Sequence, residues 1–363
     1  MRSVLDSLTP HNLAVAAALY GGFVLFLFVA SMVVPGQRLE GVPLADGTRK
    51  QYRLNGLWLY LLTVAVLAAA QYFKWFSLSI VVKYYWPLLA VANVFAFTLT
   101  AILYFQGRRA GVELRGNPIV DAFYGTELNP TWLGVDLKMF AYRPSLIGLG
   151  VINWAFAAAQ YEALGALTTR MWFYQIVYFL YLTNYFQFEY GMIYTWDIIA
   201  ENFGWMLVWG DYVLVPFFYS IPAWYLLGYT ESLETWKLVA LGALWLCGFI
   251  LFRGTNEQKH QYKANPQVKI WGKPAEALGG KLLVSGFWGI GRKLNYTGEL
   301  MVYTAWTLTT GFQSIVPYIL PIWLAVLFTH RAWRDEQRCS AKYGDLWQAY
   351  RARAKFRMIP FLY

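Results

Sequence analysis

The sequence has little charge, few cysteines and few histidines, and each shortage excludes a class of protein. Only 14% of its 363 residues are Asp, Glu, Lys or Arg, whereas soluble globular domains carry about 25%. Two cysteines make no disulfide framework. The three histidines are scattered, and neither HExxH nor CxxC occurs, so we expect no bound metal.

Long runs without a charged residue are what the chain has in excess. Hydrophobic residues make up 58% of it, and the mean hydropathy is +0.38. Crossing a bilayer as a helix takes about 20 apolar residues, and the runs lack the alternation of barrel strands. They predict an all-α polytopic membrane protein. The apolar runs are 13–34, 54–73, 84–107, 144–161, 171–188, 212–230, 238–252 and 300–329.

Basic residues are concentrated after the first, third and seventh spans, within a net charge of +10. The positive-inside rule places these segments in the cytoplasm and the N-terminus outside. The tail 331–357 is also basic, so 300–329 should cross twice as a hairpin broken near Gly311 and Pro317. This predicts nine or ten spans with a cytoplasmic C-terminus. The membrane would be the inner membrane of a bacterium or the endoplasmic reticulum of a eukaryote.

The basic residues are juxtamembrane, which favours contact with anionic lipid headgroups and argues against a nucleic-acid partner. The aromatic stretch 178–216 contains carboxylates close to membrane depth, where burying a charge costs much free energy. They are Glu189, Asp197, Glu201 and Asp211. The stretch is either a polar pocket with aromatic walls or a helix–loop–helix connection. Tyr178, Tyr181 and Tyr185 recur at helical spacing on one face, which fits a functional pocket or core packing equally.

The stretch GFWGIG (286–291) spaces its glycines as G-x-x-G-x-G. A dinucleotide fingerprint reads G-x-G-x-x-G between a strand and a helix, and no Walker lysine follows this stretch. The chain is therefore neither a Rossmann nor a P-loop protein. Glycine in a membrane segment more often permits close helix packing. If this stretch does bind a phosphate, it does so in a membrane fold and not in a soluble nucleotide-binding fold.

Acidic and basic residues are mixed after the last apolar run. Asp335 and Glu336 lie among Arg331, Arg334 and Arg338. Such a cluster is either a network of salt bridges or a frame for a phosphate group, because arginine binds phosphate through two parallel hydrogen bonds.

Six ordered motifs between residues 41 and 363 resemble the sterol C14-reductase family. This family includes the Δ14- and Δ7-sterol reductases and the membrane domain of the lamin B receptor. The motifs are GVPLADGTRKQYRLNG (41–56), GTELNPTWLGVDLKMFAYRPSLIG (125–148), TWDIIAENFGWMLVWGDYVLVPFFYSIPAWYL (195–226), FRGTNEQK (252–259), LLVSGFWGIGRKLNYTGEL (282–300) and HRAWRDEQRCSAKYGDLWQAY (330–350).

The resemblance implies about ten membrane helices and a pocket for NADPH that is unrelated to the Rossmann fold. Residues 1–230 would supply the cavity for a sterol entering from the bilayer, and residues 231–363 the NADPH pocket. We also expect Arg292 and Arg338, which neighbour the matching positions in the sequence, to lie at that pocket. The positions that match the family's cofactor contacts are Lys259, Lys263, Leu283, Trp288, Asn295, Tyr296, Asp335, Cys339, Ser340, Ala341, Lys342, Tyr343 and Tyr350.

For a Δ14 sterol the family's chemistry implies protonation of C15 followed by hydride transfer from NADPH to C14. By the resemblance, Tyr181 is the acid and works with Asp335. A tyrosine with a reference pKa of about 10 needs a relay or a cationic neighbour. Glu189 and Asp197 are reserve candidates. The family usually carries His-Asp-His where this chain has residues 200–202, so no catalytic role transfers to Ala200 or Asn202.

Three alternatives remain beside a Δ14-sterol reductase. A Δ7-sterol reductase has the same fold, and only the segment FRGTN (252–256) is more similar to the Δ14 group. A non-enzymatic sterol-binding membrane protein would keep the cavity without the NADPH pocket. An isoprenylcysteine-type methyltransferase shares the Arg-x-x-x-Tyr-x-Gly layout of the C-terminal region but lacks the central motifs.

Overall fold

The computed structural model describes residues 4–44 and 47–363. The chain forms two compact units, one ending at Thr230 and the other Glu231–Tyr363. Each unit has buried hydrophobic clusters of its own. The assignment of a sterol cavity to the first and an NADPH pocket to the second stays a prediction.

The first unit consists mainly of helices, with two short hairpins between them. The helices are α1 Val4–Ser7, α2 Pro10–Val33, α3 Gly56–Tyr72, α4 Ile80–Lys83, α5 Tyr85–Arg109, α6 Pro118–Tyr124, α7 Leu137–Leu164, α8 Thr169–Gln187, α9 Trp196–Ile199, α10 Trp205–Trp209 and α11 Ile221–Leu226. A 3-10 helix covers Glu189–Tyr194, and a π-helix covers Gly210–Phe218. The strands are β1 Gln37–Pro43, β2 Arg49–Leu54, β3 Thr131–Trp132 and β4 Val135–Asp136.

Polar side chains mark where the long helices begin. Thr9 accepts a hydrogen bond from the Asn12 amide at 3.2 Å. Asp136 accepts one from the Met139 amide at 2.8 Å, and Thr168 one from the Met171 amide at 3.3 Å. Each satisfies an amide that has no partner within its own first helical turn.

Four helices of the described residues are long and apolar enough to cross a membrane: Pro10–Val33, Tyr85–Arg109, Trp205–Leu226 and Thr235–Ala264. Gly56–Tyr72 is a shorter apolar helix. These helices confirm the predicted class, a helical polytopic membrane protein. The predicted nine or ten crossings and their orientation stay predictions.

The hairpin β1–β2 was not anticipated from the sequence. Its strands pair antiparallel, with Arg38 opposite Arg53. Tyr52 is buried in a cluster with Met139, Met192, Ile193 and Ile198. The cluster explains the strand, because the alternation in RKQYRL turns both Tyr52 and Leu54 towards it. Leu39, which lies opposite Tyr52 in β1, packs against the same cluster.

A buried ion pair fixes the start of α3. The Arg143 guanidinium lies 3.3 Å from Glu189 Oε1, and Arg143 also donates to the Arg53 carbonyl at 2.8 Å. The other Glu189 oxygen accepts from the Gly56 amide at 2.8 Å. Both side chains are almost fully buried. Glu189 therefore has a structural role, and its part as a reserve candidate for the acid stays a prediction.

The second unit also combines helices with small hairpins. Its helices are α12 Thr235–Ala264, α13 Phe287–Ile290, α14 Leu294–Thr307, α15 Ile319–Tyr343 and α16 Asp345–Arg353. Its strands are β5 Lys269–Ile270, β6 Lys273–Pro274, β7 Ala277–Leu278 and β8 Leu282–Leu283. Each strand pairs antiparallel with its sequence neighbour. The predicted break after α14 is confirmed, because short 3-10 helices flank Gly311, which has a φ of 67°.

Two loops of the first unit touch through glycines. Asn202 Nδ2 donates to the carbonyls of Gly125 and Thr126 at 3.1 and 3.3 Å. A Cβ on Gly125 would lie 2.4 Å from the Gly204 nitrogen. Asn202 thus holds the loop that leads into the ELNP motif.

We expect Gly125→Ala to lower the thermal unfolding midpoint more than Gly116→Ala does. Both glycines have positive φ values, 90° and 87°, a conformation that residues with a Cβ rarely adopt, so both substitutions strain the backbone. Nothing lies within 4 Å of a Cβ at Gly116, so only Gly125→Ala adds a backbone clash. Thermal unfolding of the two purified variants in detergent measures the difference. Equal midpoints would contradict the close contact between Gly125 and Gly204.

Candidate functional site

The end of α12 presents lysines beside an aromatic ring. Lys259 and Lys263 are one helical turn apart and exposed, and Lys259 Nζ lies 4.6 Å from the centre of the Trp288 ring. Trp288 is buried, and its Nε1 donates to the Thr255 carbonyl at 2.8 Å. Leu283 packs in the same cluster as Trp288. These positions therefore form one basic edge over a fixed ring.

Asp335 lies within this basic neighbourhood, on α15. Its carboxylate forms an ion pair with Lys293. Burial acts to raise the pKa of Asp335, but Lys293, Lys259 and Arg338 outweigh burial and the pKa is lowered. Asp335 therefore remains ionised, and it holds Lys293 close to Lys259.

Cys339 follows Asp335 by one helical turn. Its Sγ lies 3.8 Å from Asp335 Oδ2. Burial raises the pKa of the Cys339 thiol, and the carboxylate of Asp335 raises it further, against the opposing effect of Lys293. The thiol is therefore protonated near neutral pH and can donate to Asp335.

The Asn–Tyr pair opens α14 and leaves one acceptor unused. Asn295 Nδ2 donates to Asn256 Oδ1 at 3.3 Å. Asn295 Oδ1 is buried without a hydrogen-bond partner among the described residues. Tyr296 stacks on Phe328 with ring centres 4.9 Å apart, and Lys293 Nζ lies 5.9 Å from the Tyr296 ring. A buried unpaired acceptor is costly, so this oxygen suits a ligand that donates a hydrogen bond.

The remaining positions that the resemblance assigns to cofactor binding lie in two different surroundings. Cys339 and Tyr343 pack against a buried cluster that includes Trp347 and Tyr350. Ser340, Ala341 and Lys342 are exposed. Ser340 lines a separate cavity with Arg292. The structure thus places Cys339, Tyr343 and Tyr350 at a common cluster and turns Ser340 away from it.

Glu336 was missed as a site residue and organises the C-terminal segment. Arg292 lies 3.5 Å from one Glu336 oxygen and Arg351 lies 3.1 Å from it, while Arg357 pairs with the other oxygen. Burial lowers the pKa of Arg292, and Arg357 and Arg351 lower it further, against the effect of Glu336. Of the two adjacent carboxylates, Glu336 pairs with arginines and Asp335 faces lysines. The sequence could not distinguish these two roles, because both residues lie among the same basic neighbours along the chain.

The glycines of GFWGIG (286–291) serve packing. Gly286 has a φ of 59°, and a Cβ there would lie 2.5 Å from Gln258 Oε1. A Cβ on Gly289 would lie 2.4 Å from the Val284 carbonyl oxygen. Gly291 pairs with Phe356 in an isolated bridge. The stretch therefore holds α12 and the C-terminal segment close, and Arg292 and Lys293 directly after it carry the charge.

Tyr181 belongs to the first unit and is buried. Its ring centre lies 6.3 Å from that of Tyr178 and 6.5 Å from that of Tyr185. Tyr178 Oη donates to the Tyr219 carbonyl at 3.4 Å, and Tyr185 Oη contacts Met192 Sδ at 2.7 Å. The predicted row of tyrosines on α8 is present and packed in a core. A catalytic role for Tyr181 stays a prediction.

The other carboxylates near this row have different surroundings. Asp197 is half-buried, and Tyr142 Oη donates to it at 3.4 Å. Asp211 is buried in the π-helix and is hydrogen-bonded by Ser145. π-helical turns are frequent at functional sites. Asp197 keeps its place as a reserve candidate.

Nearly the whole chain is similar to known proteins. The sequence profile of the ergosterol biosynthesis ERG4/ERG24 family matches residues 6–363. The chain is 39% identical over 355 residues to a protein of Methylotuvimicrobium alcaliphilum named Delta(14)-sterol reductase, covering 96% of this chain and 83% of that protein. It is 40% identical over 348 residues to the Arabidopsis thaliana Delta(14)-sterol reductase, covering 94% of each. A Xenopus laevis 7-dehydrocholesterol reductase is 35% identical over 368 residues, covering 93% and 77%.

We expect Asp335→Asn to make Cys339 react faster with iodoacetamide. Removing the carboxylate lowers the pKa of the thiol, because one of the groups that raises it is gone. The alkylation rate is measured by mass spectrometry across pH in a Cys247→Ala background, with Glu276→Gln as a control that removes an exposed carboxylate. The pH profile should shift to lower pH only in Asp335→Asn. An unchanged profile would show that Asp335 does not act on Cys339.

Proposed function

Because the chain belongs to the ergosterol biosynthesis ERG4/ERG24 family, we propose that it is a Δ14-sterol reductase that uses NADPH to reduce the C14=C15 bond of a sterol intermediate. The observation that carries this proposal is identity of 38–40% over nearly the full chain to three relatives named Delta(14)-sterol reductase. Relatives named 7-dehydrocholesterol reductase are 32–35% identical. Both groups of relatives are oxidoreductases that act on a sterol C=C bond.

Several features of the second unit support the proposal that it binds NADPH. Lys263 and Lys293 supply positive charge for its phosphates, since charge-assisted hydrogen bonds to phosphate are strong. Desolvation and the nearby Lys293 and Lys263 lower the pKa of Lys259 to about 7, and a bound phosphate would favour its charged form. Asn295 Oδ1 is a buried acceptor without a partner among the described residues, which fits an amide donor such as that of a nicotinamide. When bound, NADPH would supply the hydride.

The protein's own task is to protonate one carbon of a C=C bond that no carbonyl group activates. We assign the proton to Tyr181 Oη, which lies in an aromatic, buried row where water is scarce. Exclusion of water keeps the resulting tertiary cation from being trapped before hydride arrives. Asp335 is assigned to the same reaction, where its salt bridge orients Lys293 within the basic pocket.

The protein is a membrane protein, and we propose that its C-terminus faces the cytoplasm. The basic segments support this orientation by the positive-inside rule. The sterol would enter from the bilayer, and NADPH from the cytoplasm.

We expect the purified protein to convert a Δ8,14-diene sterol to the Δ8 sterol with NADPH and much more slowly with NADH. Tyr181→Phe should lower kcat by about 10²–10⁴-fold, the range for loss of a general acid. Tyr161→Phe is the control, because it removes the hydroxyl of an exposed tyrosine. Gas chromatography–mass spectrometry identifies the product. Reduction of a Δ7 sterol in place of the diene would overturn the Δ14 assignment within the family.

We expect Lys259→Met to raise the Kd for NADPH about tenfold or more, because one phosphate-facing charge is lost. Lys269→Met is the matched control, since Lys269 is an exposed lysine on β5. Quenching of tryptophan fluorescence measures binding, and added salt should weaken NADPH binding less in Lys259→Met than in the control. Equal affinities of the two variants would contradict a phosphate-facing role for Lys259.

A further inference from the structure

A basic groove lies between α15 and α16, apart from the pocket around Asp335. Its volume is about 550 Å³. The lining residues are Arg292, Ser340, Gln348, Arg351, Ala352 and Lys355. Two lining residues, Ser340 and Arg292, were also expected at the NADPH pocket, whereas Gln348, Arg351, Ala352 and Lys355 were not.

The charge of the groove is unbalanced. Three of its six lining residues are cationic and none is acidic. The carboxylate beneath it, Glu336, is divided among Arg292, Arg351 and Arg357. One carboxylate therefore neutralises only part of the charge of three guanidinium groups, and the Lys355 ammonium adds a further positive charge. The groove keeps a strong positive potential.

Arg292 removes the feature that would otherwise repel an anion here. The C-terminal end of a helix carries partial negative charge on its unpaired carbonyls. Arg292 Nη1 donates to the Ala354 and Lys355 carbonyls just beyond α16, at 2.6 and 3.1 Å. The end of α16 is thereby neutralised by a guanidinium that is itself buried.

The spacing along α16 presents suitable donors on one side. Gln348, Arg351 and Ala352 recur at helical intervals of three and four, and Lys355 follows just beyond the helix end. Arg351 pairs with Glu336 through Nε. Its side chain is 55% exposed, so its Nη donors remain for a ligand. Ala352 leaves space between these donors.

Apolar residues stand exposed beside this charge. Phe361 and Leu362 are 93% and 79% exposed. The Phe361 ring centre lies 4.8 Å from that of Phe356, whose carbonyl accepts from the Arg292 amide at 3.0 Å. Cationic side chains next to exposed apolar ones suit a membrane–water interface.

We propose that the groove of Arg292, Ser340, Gln348, Arg351 and Lys355 binds a phosphate group and is distinct from the NADPH pocket. The phosphate belongs either to an anionic phospholipid headgroup or to a free phosphate compound in solution. The bidentate geometry of Arg351 and the point charge of Lys355 are suited to either source. This proposal does not depend on the sterol reductase assignment.

The test uses the full-length protein in detergent and two pairs of charge-neutralising substitutions. Arg351→Gln with Lys355→Gln removes two charges from the groove. Lys269→Gln with Lys273→Gln removes two charges from the exposed hairpin β5–β6 and is the matched control. Ala352→Glu is a third variant, which adds a negative charge in the groove and leaves the Glu336 network in place. Native mass spectrometry measures binding of phosphatidylglycerol against phosphatidylcholine, and phosphorus NMR measures binding of inorganic phosphate.

We expect phosphatidylglycerol affinity to fall about 10- to 30-fold in the double groove variant and in Ala352→Glu, and to stay unchanged in the control. A matching loss for inorganic phosphate alone would assign the groove to a free phosphate compound. Equal binding of both ligands by all variants would overturn the proposal. A parallel tenfold loss of NADPH affinity would also overturn it, because the groove would then belong to the cofactor site.

Discussion

Burial of a carboxylate together with arginine is the interaction on which both units depend. In the first unit Glu189 pairs with Arg143 and receives the Gly56 amide, which ties the start of α3 to α7. In the second unit Glu336 joins Arg292 to the C-terminal segment. Removing one partner of a buried pair leaves a desolvated charge, at a cost of about 3–5 kcal/mol. The geometry around each pair is therefore fixed, and the candidate site takes its shape from the second.

The second unit gathers positive charge by a different device from that of soluble dinucleotide-binding folds. A Rossmann site holds phosphate with backbone amides at a helix N-terminus behind a glycine-rich turn. Here the glycines of 286–291 allow close packing, and side chains supply the charge. Asp335 holds Lys293 near Lys259, while Glu336, one residue later, holds the arginines. Two neighbouring carboxylates thus separate the basic residues into a lysine pocket and an arginine groove.

Much of the fold followed from the sequence, because long uncharged runs permit little else in a bilayer. The runs correspond to the long helices, and the break at Gly311 lies where it was predicted. The hairpin β1–β2 was missed, since its inward face consists of a few residues, Tyr52 with the partly buried Leu39 and Leu54, whose partners are distant in sequence. Lys293 and Glu336 were missed as site residues because their roles come from partners that are distant in sequence. Ser340 could not be separated from Cys339 without knowing which side of α15 each one faces.

The most direct test of the account locates the two hydrogens added to the double bond. The wild-type protein would reduce a Δ8,14-diene sterol once in D2O with unlabelled NADPH and once in H2O with NADPH deuterated at C4, and NMR would place the label. The proposed mechanism predicts solvent deuterium at C15 and cofactor deuterium at C14, since a protein acid protonates first and hydride follows. Solvent deuterium at C14, or cofactor deuterium at C15, would contradict it.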